Sequence, residues 1–128
     1  MKVLLDTHLL LWAAGAPGRL PDAARRRIAD PETAPLFSAA SLWEVAIKAA
    51  LGRPDFSVDG RLLRRGLLEH GWEELPIRSA HAVEVADLPP LHRDPFDRIL
   101  VAQARVEGVA LITSDRAVAA YPGPVTLV

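Results

Sequence analysis

Short apolar runs and longer helical patterns alternate along this chain. Residues 2–6 (KVLLD) are a brief apolar run that ends on a carboxylate, the pattern of a strand buried on both faces as in a parallel sheet. Residues 35–38 and 109–113 repeat it, residues 125–128 suit a further strand, and residues 72–77 are a weaker candidate with apolar positions at Trp72, Leu75 and Ile77. Helical periodicity covers residues 7–14, 21–29, 40–51, 59–70, 79–85 and 95–107. Strands alternating with helices of this length predict an α/β fold with a largely parallel sheet and helices on both faces. Glycines and prolines fall at the joints, at 15–18, 52–54 and 89–90, and no linker or repeat interrupts the pattern, so one domain over residues 1–128 is expected.

Composition narrows the chemistry by exclusion. With 128 residues the chain buries roughly two thirds of its unfolded surface, enough for one core. There is no cysteine, which removes disulfides, thiolate zinc sites and cysteine nucleophiles and leaves oxygen or imidazole to hold any metal. Apolar runs such as 9–15 are far short of the ~20 residues of a membrane span, and the N-terminus lacks a signal peptide's charged start and cleavage site. A cytoplasmic protein without a membrane segment is the expectation. A net charge of −1 is not that of a strongly basic nucleic-acid binder. Arginines bunch at Arg25, Arg26 and Arg27 and at Arg61, Arg64 and Arg65, as solvated helix faces or as a rim whose guanidinium forks suit phosphate.

Four acids stand where chemistry is done in such folds. Asp6 and Asp115 each end a strand, at the carboxyl edge where open α/β sheets place ligands. Asp97 is the third helical residue after Asp94, the predicted N-cap, with Pro95 at the first position. Each of these three also has a plain explanation as a helix cap or a partner of the helix dipole. Glu44 has Lys48 four residues on, the favourable order for an ion pair. Its helix carries Leu42, Val45, Ala46 and Ala49 on one side and Trp43, Ile47 and Ala50 on another, so packing on two sides is expected, with Ser41, Glu44 and Lys48 as the one polar stripe. Four converging carboxylates repel one another and must hold protons, pair with cations or bind a hard divalent ion, Mg²⁺ or Mn²⁺. The histidines His8, His70, His81 and His92 show no spaced ligand set and read as packing or solvent groups.

The chain resembles a PIN domain, and within that family the VapC-like toxins of bacterial toxin–antitoxin pairs. The likeness runs end to end through Leu4-Leu5-Asp6-Thr7-His8 with Leu11-Trp12, Ser38 and Ser41-Leu42-Trp43-Glu44-Val45-Ala46-Ile47-Lys48, His92-Arg93-Asp94-Pro95-Phe96-Asp97-Arg98, Ala102-Gln103-Ala104, and Leu111-Ile112-Thr113-Ser114-Asp115. It implies a three-layer α/β/α sandwich with a central, mostly parallel sheet, and an acidic quartet at Asp6, Glu44, Asp97 and Asp115. It further implies a Mg²⁺-dependent endoribonuclease, with Mn²⁺ as a substitute, that cleaves RNA phosphodiesters by metal-activated water. Asp6 and Asp97 would be the main metal ligands, with Glu44 and Asp115 completing the shell. Asp94 is left as a helix cap or a group behind the ligands rather than a ligand, Thr7, Ser38 and Thr113 as hydroxyls for phosphate or for orienting a carboxylate or equally as turn hydroxyls, and Arg98 as an RNA contact or surface pair. Trp12 and Trp43 read as core or partner-groove residues, leaving no base-stacking platform. The implied partners are a VapB-like antitoxin over the early helices, a homodimer or toxin–antitoxin hetero-oligomer, and an RNA substrate. The alternative is a catalytically inactive PIN-fold module that binds RNA or a partner. Glycine-rich nucleotide loops, the Asp-x-Asp of haloacid-dehalogenase-type phosphotransfer and the paired acids of receiver domains do not occur at the required places.

Overall fold

In the computed structural model, which covers residues 1–128, the chain runs β1 (Lys2–Leu5), α1 (Thr7–Gly15), α2 (Asp22–Ala29), β2 (Ala34–Ser38), α3 (Ala39–Ala50), α4 (Gly60–Glu69), β3 (Glu73–Leu75), α5 (Ser79–Glu84), α6 (Pro95–Glu107), β4 (Ala110–Thr113), α7 (Arg116–Ala119) and β5 (Val125–Leu127). The strands form one sheet in the order β3-β2-β1-β4-β5, and every pairing is parallel.

Successive strand side chains point to opposite faces, and here both faces are covered. Leu4, Leu36 and Leu111 face the layer containing Leu100, Val101 and Tyr121. Val3, Leu5, Phe37 and Ile112 face the layer built on α1, α2, α3 and α4, with Leu9, Ala24, Val45 and Leu67. The result is the three-layer α/β/α sandwich that the resemblance implies, with helices on both faces as the alternation of runs predicts. The chain moves outward from β1 through β2 to β3 and then returns to the other side of β1 for β4, so the sheet changes direction between β1 and β4. A crevice at the carboxyl ends of two such strands is where open α/β folds bind ligands. No helix is long and apolar enough to cross a membrane.

Local chemistry sets the helix starts. Asp6, Ser38, Asp59, Asp94 and Asp115 each accept a backbone N–H in the first turn of the helix that follows. Pro95 opens α6, and Gly108 closes it at φ 67°, a left-handed conformation that favours glycine. The first strand ends at Leu5 rather than residue 6 because Asp6 has already turned to cap α1. The strand over 72–77 shrinks to Glu73–Leu75 at the sheet edge. Helix α7 lies outside the predicted elements, since four residues are too few to show a helical period.

The expectation that α3 packs on two sides fails. Its buried residues are Ala40, Ser41, Glu44 and Val45, whereas Trp43 is 59% exposed and Ile47 41% exposed. The polar stripe faces inward and much of the apolar surface faces out. Ser41 shares a 2.9 Å hydrogen bond with Thr7 of α1, which satisfies one of the buried hydroxyls.

Ser38 joins three segments at once. Its Oγ accepts from Ala40 N at 3.0 Å and donates to Gln103 Oε1 at 2.6 Å, while Gln103 Nε2 donates to Pro76 O at 3.3 Å. Both side chains are fully buried. Ser38→Ala removes a helix cap and leaves the Gln103 carbonyl without its donor, so it should destabilise the protein by about 1–3 kcal/mol. Denaturant melts of the two proteins check this, and equal midpoints would contradict it.

Candidate active site

The deepest of the predicted acids is Asp6. Its backbone N–H donates to Ile112 O at 3.1 Å, which carries the β1–β4 pairing one residue beyond the strand. Its Oδ1 accepts from Leu9 N at 2.9 Å, and its Oδ2 accepts from the Thr113 hydroxyl. Burial pushes its carboxyl above the usual carboxylate range, and the charge of Asp115 adds to this, against the opposing pull of the Leu9 amide, Thr113 and His8. Thr113 Oγ1 also accepts from Asp115 N at 3.0 Å, so one hydroxyl links the two strand-end acids. Asp115 is exposed and caps α7 by accepting from Ala117 N at 2.8 Å.

Asp97 lies in the first turn of α6, behind the cap formed by Asp94, whose Oδ1 accepts from Phe96 N at 2.8 Å. Its carboxyl is pushed up to about 6, first by burial and then by Asp94, Glu44 and Asp6, with His92 opposing. Asp97 thus feels the charges of Asp94, Glu44 and Asp6, and Asp6 feels that of Asp115. The tightest group is a different one. Ligand atoms of His92, Asp94 and Asp97 all lie within 4.8 Å of one another, and His92 Nε2 is 3.0 Å from Asp97 Oδ2.

Glu44 is 4% exposed. Its Oε2 pairs with Lys48 Nζ at 2.7 Å, and its Oε1 is a buried side-chain oxygen with no hydrogen-bond partner. Leaving a charged group buried and half satisfied is costly, and such a group calls for a missing partner. The available donors are carboxylate oxygens and one imidazole, a set that suits a hard divalent cation. His92, Asp94 and Asp97 are the group whose ligand atoms lie close enough together to share one, with Glu44 and Asp6 acting on Asp97 from nearby and Asp115 exposed beside Asp6.

Other expectations are corrected here. His92, read from sequence as packing or solvent, touches Asp97, and the spacing His92-Arg93-Asp94-Pro95-Phe96-Asp97 was the signal for it. Arg98 turns inward: its guanidinium donates to Pro89 O at 3.0 Å, Val85 O at 3.2 Å and the Tyr121 hydroxyl at 3.0 Å. Of the three candidate hydroxyls only Thr113 reaches a carboxylate, since Thr7 bonds Ser41 and Ser38 bonds Gln103. Trp43 is not a core residue. It stands exposed, edge-on to Phe96 at 5.1 Å between ring centroids and 76° between planes, so an aromatic surface does flank the acids.

The sequence profile of the PIN domain matches residues 3–124, and the chain belongs to that family. Among individual proteins it is 32% identical over 127 residues to Ribonuclease VapC22 of Mycobacterium tuberculosis, an alignment covering 98% of this chain and 97% of that one. Its fold is similar to VapBC2 from Rickettsia felis bound to a DNA fragment from their promoter, with a TM-score of 0.65, 15% identity, and 91% and 89% of the two chains covered. A toxin–antitoxin complex from Klebsiella pneumoniae also has a TM-score of 0.65, at 17% identity and with 97% and 95% covered. At these identities the structural likeness speaks for the fold.

The raised carboxyl of Asp97 makes a signed prediction for the metal-free protein. Its pKa is about 6 in the fold and 3.8 in the unfolded chain, so the fold holds a proton that the unfolded chain has released between those values. The stability this group contributes is present below pH ~4 and lost as pH rises through about 6. In EDTA, Asp97→Asn should therefore gain thermal stability relative to the parent as pH rises from 4.5 to 7.5. A melting-temperature gap that does not change with pH would refute it.

Proposed function

We propose that this protein is a divalent-metal-dependent endoribonuclease, a single domain over residues 1–128 that serves as the toxin of a toxin–antitoxin pair. The observation that carries the proposal is Glu44 Oε1, a buried carboxylate oxygen with no partner beside acids that already repel one another. The relative named a ribonuclease, aligned over nearly the whole chain, supports the choice of substrate.

Asp6 and Asp97 would hold the cation, Mg²⁺ or Mn²⁺, with Glu44 and Asp115 completing its surroundings. When bound, such an ion neutralises charge on the scissile phosphate and lowers the pKa of water. The protein's own groups prepare the place. Thr113 and Leu9 N–H fix the Asp6 carboxylate, Lys48 holds one oxygen of Glu44 and leaves the other free, and Asp94 keeps the first turn of α6 in register beneath Asp97. No side-chain nucleophile is required. There is no cysteine, and Ser38 and Ser41, the two buried serines, are committed to Gln103 and Thr7.

A groove of about 520 Å³ opens between α1, α2 and α4, lined by Leu11, Ala14, Leu20, Leu62, Leu67 and Trp72 among others. A VapB-like antitoxin would lay an apolar segment there; solved structures of the same fold include toxin–antitoxin complexes. The free toxin would form a homodimer, and the pair a hetero-oligomer, in the cytoplasm where RNA is met.

The test uses antitoxin-free protein with structured and unstructured RNA and with matched DNA, in Mg²⁺, Mn²⁺ or EDTA. RNA cleavage should stop in EDTA and fall by about two orders of magnitude or more in Asp6→Asn and Asp97→Asn. Cleavage that survives in both variants would place the chemistry elsewhere. RNA binding without cleavage of any substrate would favour the inactive binding module.

A further inference from the structure

The Asp97 carboxylate has one polar side chain in contact with it, and that side chain is His92 at 3.0 Å. The imidazole sits in an irregular stretch before α6 and would be free to turn unless something held it. Two features hold it. His92 Nδ1 accepts from Arg93 N at 3.1 Å, which leaves the ring proton on Nε2, the nitrogen within hydrogen-bond distance of Asp97 Oδ2. The backbone of His92 is clasped from both sides by one hydroxyl: Tyr121 Oη accepts from His92 N at 2.9 Å and donates to His92 O at 3.2 Å.

Tyr121 is in turn held by the neighbour of Asp97. Its side chain is almost fully buried, and its hydroxyl accepts from Arg98 Nη1 at 3.0 Å while the guanidinium carbon lies 5.9 Å from the ring centre. Arg98 also donates to the carbonyls of Val85 and Pro89, which brace the same stretch of chain from its other end. Asp97 and Arg98 are consecutive on α6, so the contacts close a ring: Asp97 to His92, His92 to Tyr121, Tyr121 to Arg98, and Arg98 back to Asp97 through the helix. The cap residue Asp94 accepts from the Phe96 and Asp97 amides and, as a carboxylate, has no proton to donate to the Asp97 carboxylate.

We propose that His92 is a positioning residue that fixes one oxygen of the Asp97 carboxylate so that the other is presented to a divalent cation, and that Tyr121 and Arg98 hold His92 in place. The inference rests on the metal-site reading above. Groups that hydrogen-bond a ligating carboxylate characteristically change metal affinity by about 10–100-fold when removed.

Mn²⁺ binding to the purified chain, followed by the electron paramagnetic resonance signal of the free ion, tests it without recourse to activity. His92→Gln keeps an N–H donor near the Nε2 position, whereas His92→Asn is polar but too short to reach. The Asn variant should bind Mn²⁺ about 10–100-fold more weakly than the parent, the Gln variant should recover most of that loss, and Tyr121→Phe should weaken binding in the same direction. Thermal melts in EDTA identify any variant that has lost its fold, and the Gln and Asn pair, being alike in polarity, carries the comparison. Equal affinities for parent, Gln and Asn would overturn the proposal, as would a Gln variant that is folded yet as weak as Asn, since that result would make the imidazole a ligand instead. If the parent binds no Mn²⁺, or Asp97→Asn binds as the parent does, the metal-site reading itself fails.

Discussion

The rest of the site depends on the attachment of the Asp6 carboxylate. It is nearly out of water, yet it keeps three partners: its amide continues the β1–β4 pairing, one oxygen caps α1, and the other accepts the Thr113 hydroxyl. One residue thus ties a strand to its own helix and to the neighbouring strand at the place where the order of strand addition reverses. The register of β1 on β4, which sets Leu5 opposite Ile112, leaves Asp6 and Thr113 as the next pair. A shift of one residue would send Thr113 to the other face and leave the carboxylate buried without its donor. The apolar packing of both layers and the geometry of the acids are therefore set by the same register.

A second consequence appears in α3. Helices usually turn their apolar side inward, but here Ser41 and Glu44 are buried and Trp43 and Ile47 face solvent. The compensation is local and specific: Thr7 meets Ser41, and Lys48 reaches back to Glu44. Only one oxygen of Glu44 is satisfied that way. A fold selected for stability alone would have no use for that arrangement, and natural proteins break such rules mainly at functional sites.

Much of this was legible in the sequence. Strand-end positions marked Asp6 and Asp115, the Asp94-Pro95 start marked α6, and the mixed character of α3 marked Glu44. The orientation of α3 was not legible, because its polar stripe and its apolar faces are symmetrical alternatives until the partners of Ser41 and Glu44 are known. For His92 the spacing to Asp97 was a local signal, but the residue that anchors it there, Tyr121, lies 29 positions further on. Arg98 was misread because sequence neighbours on a helix differ by about 100° in direction, so Asp97 can face the acids while Arg98 faces the core. The common cause in each case is a long-range contact that sets a short-range choice.

Capping and cation binding, which compete as explanations when the sequence is read alone, are compatible in the folded chain. A cap uses one carboxylate oxygen. Asp115 and Asp94 each use Oδ1 on backbone amides, and Asp6 uses Oδ1 on Leu9 while Oδ2 goes to Thr113. Helices α1, α6 and α7 thus begin with their partial positive ends beside acids, which eases the repulsion among carboxylates before any cation arrives. Burial first, and neighbouring acids after it, still push the carboxyls of Asp6 and Asp97 upward. Two of the acids cap nothing, Glu44 and Asp97. Each has one oxygen engaged, by Lys48 and by His92 respectively, and for Glu44 the other oxygen is buried where the protein's own donors run out.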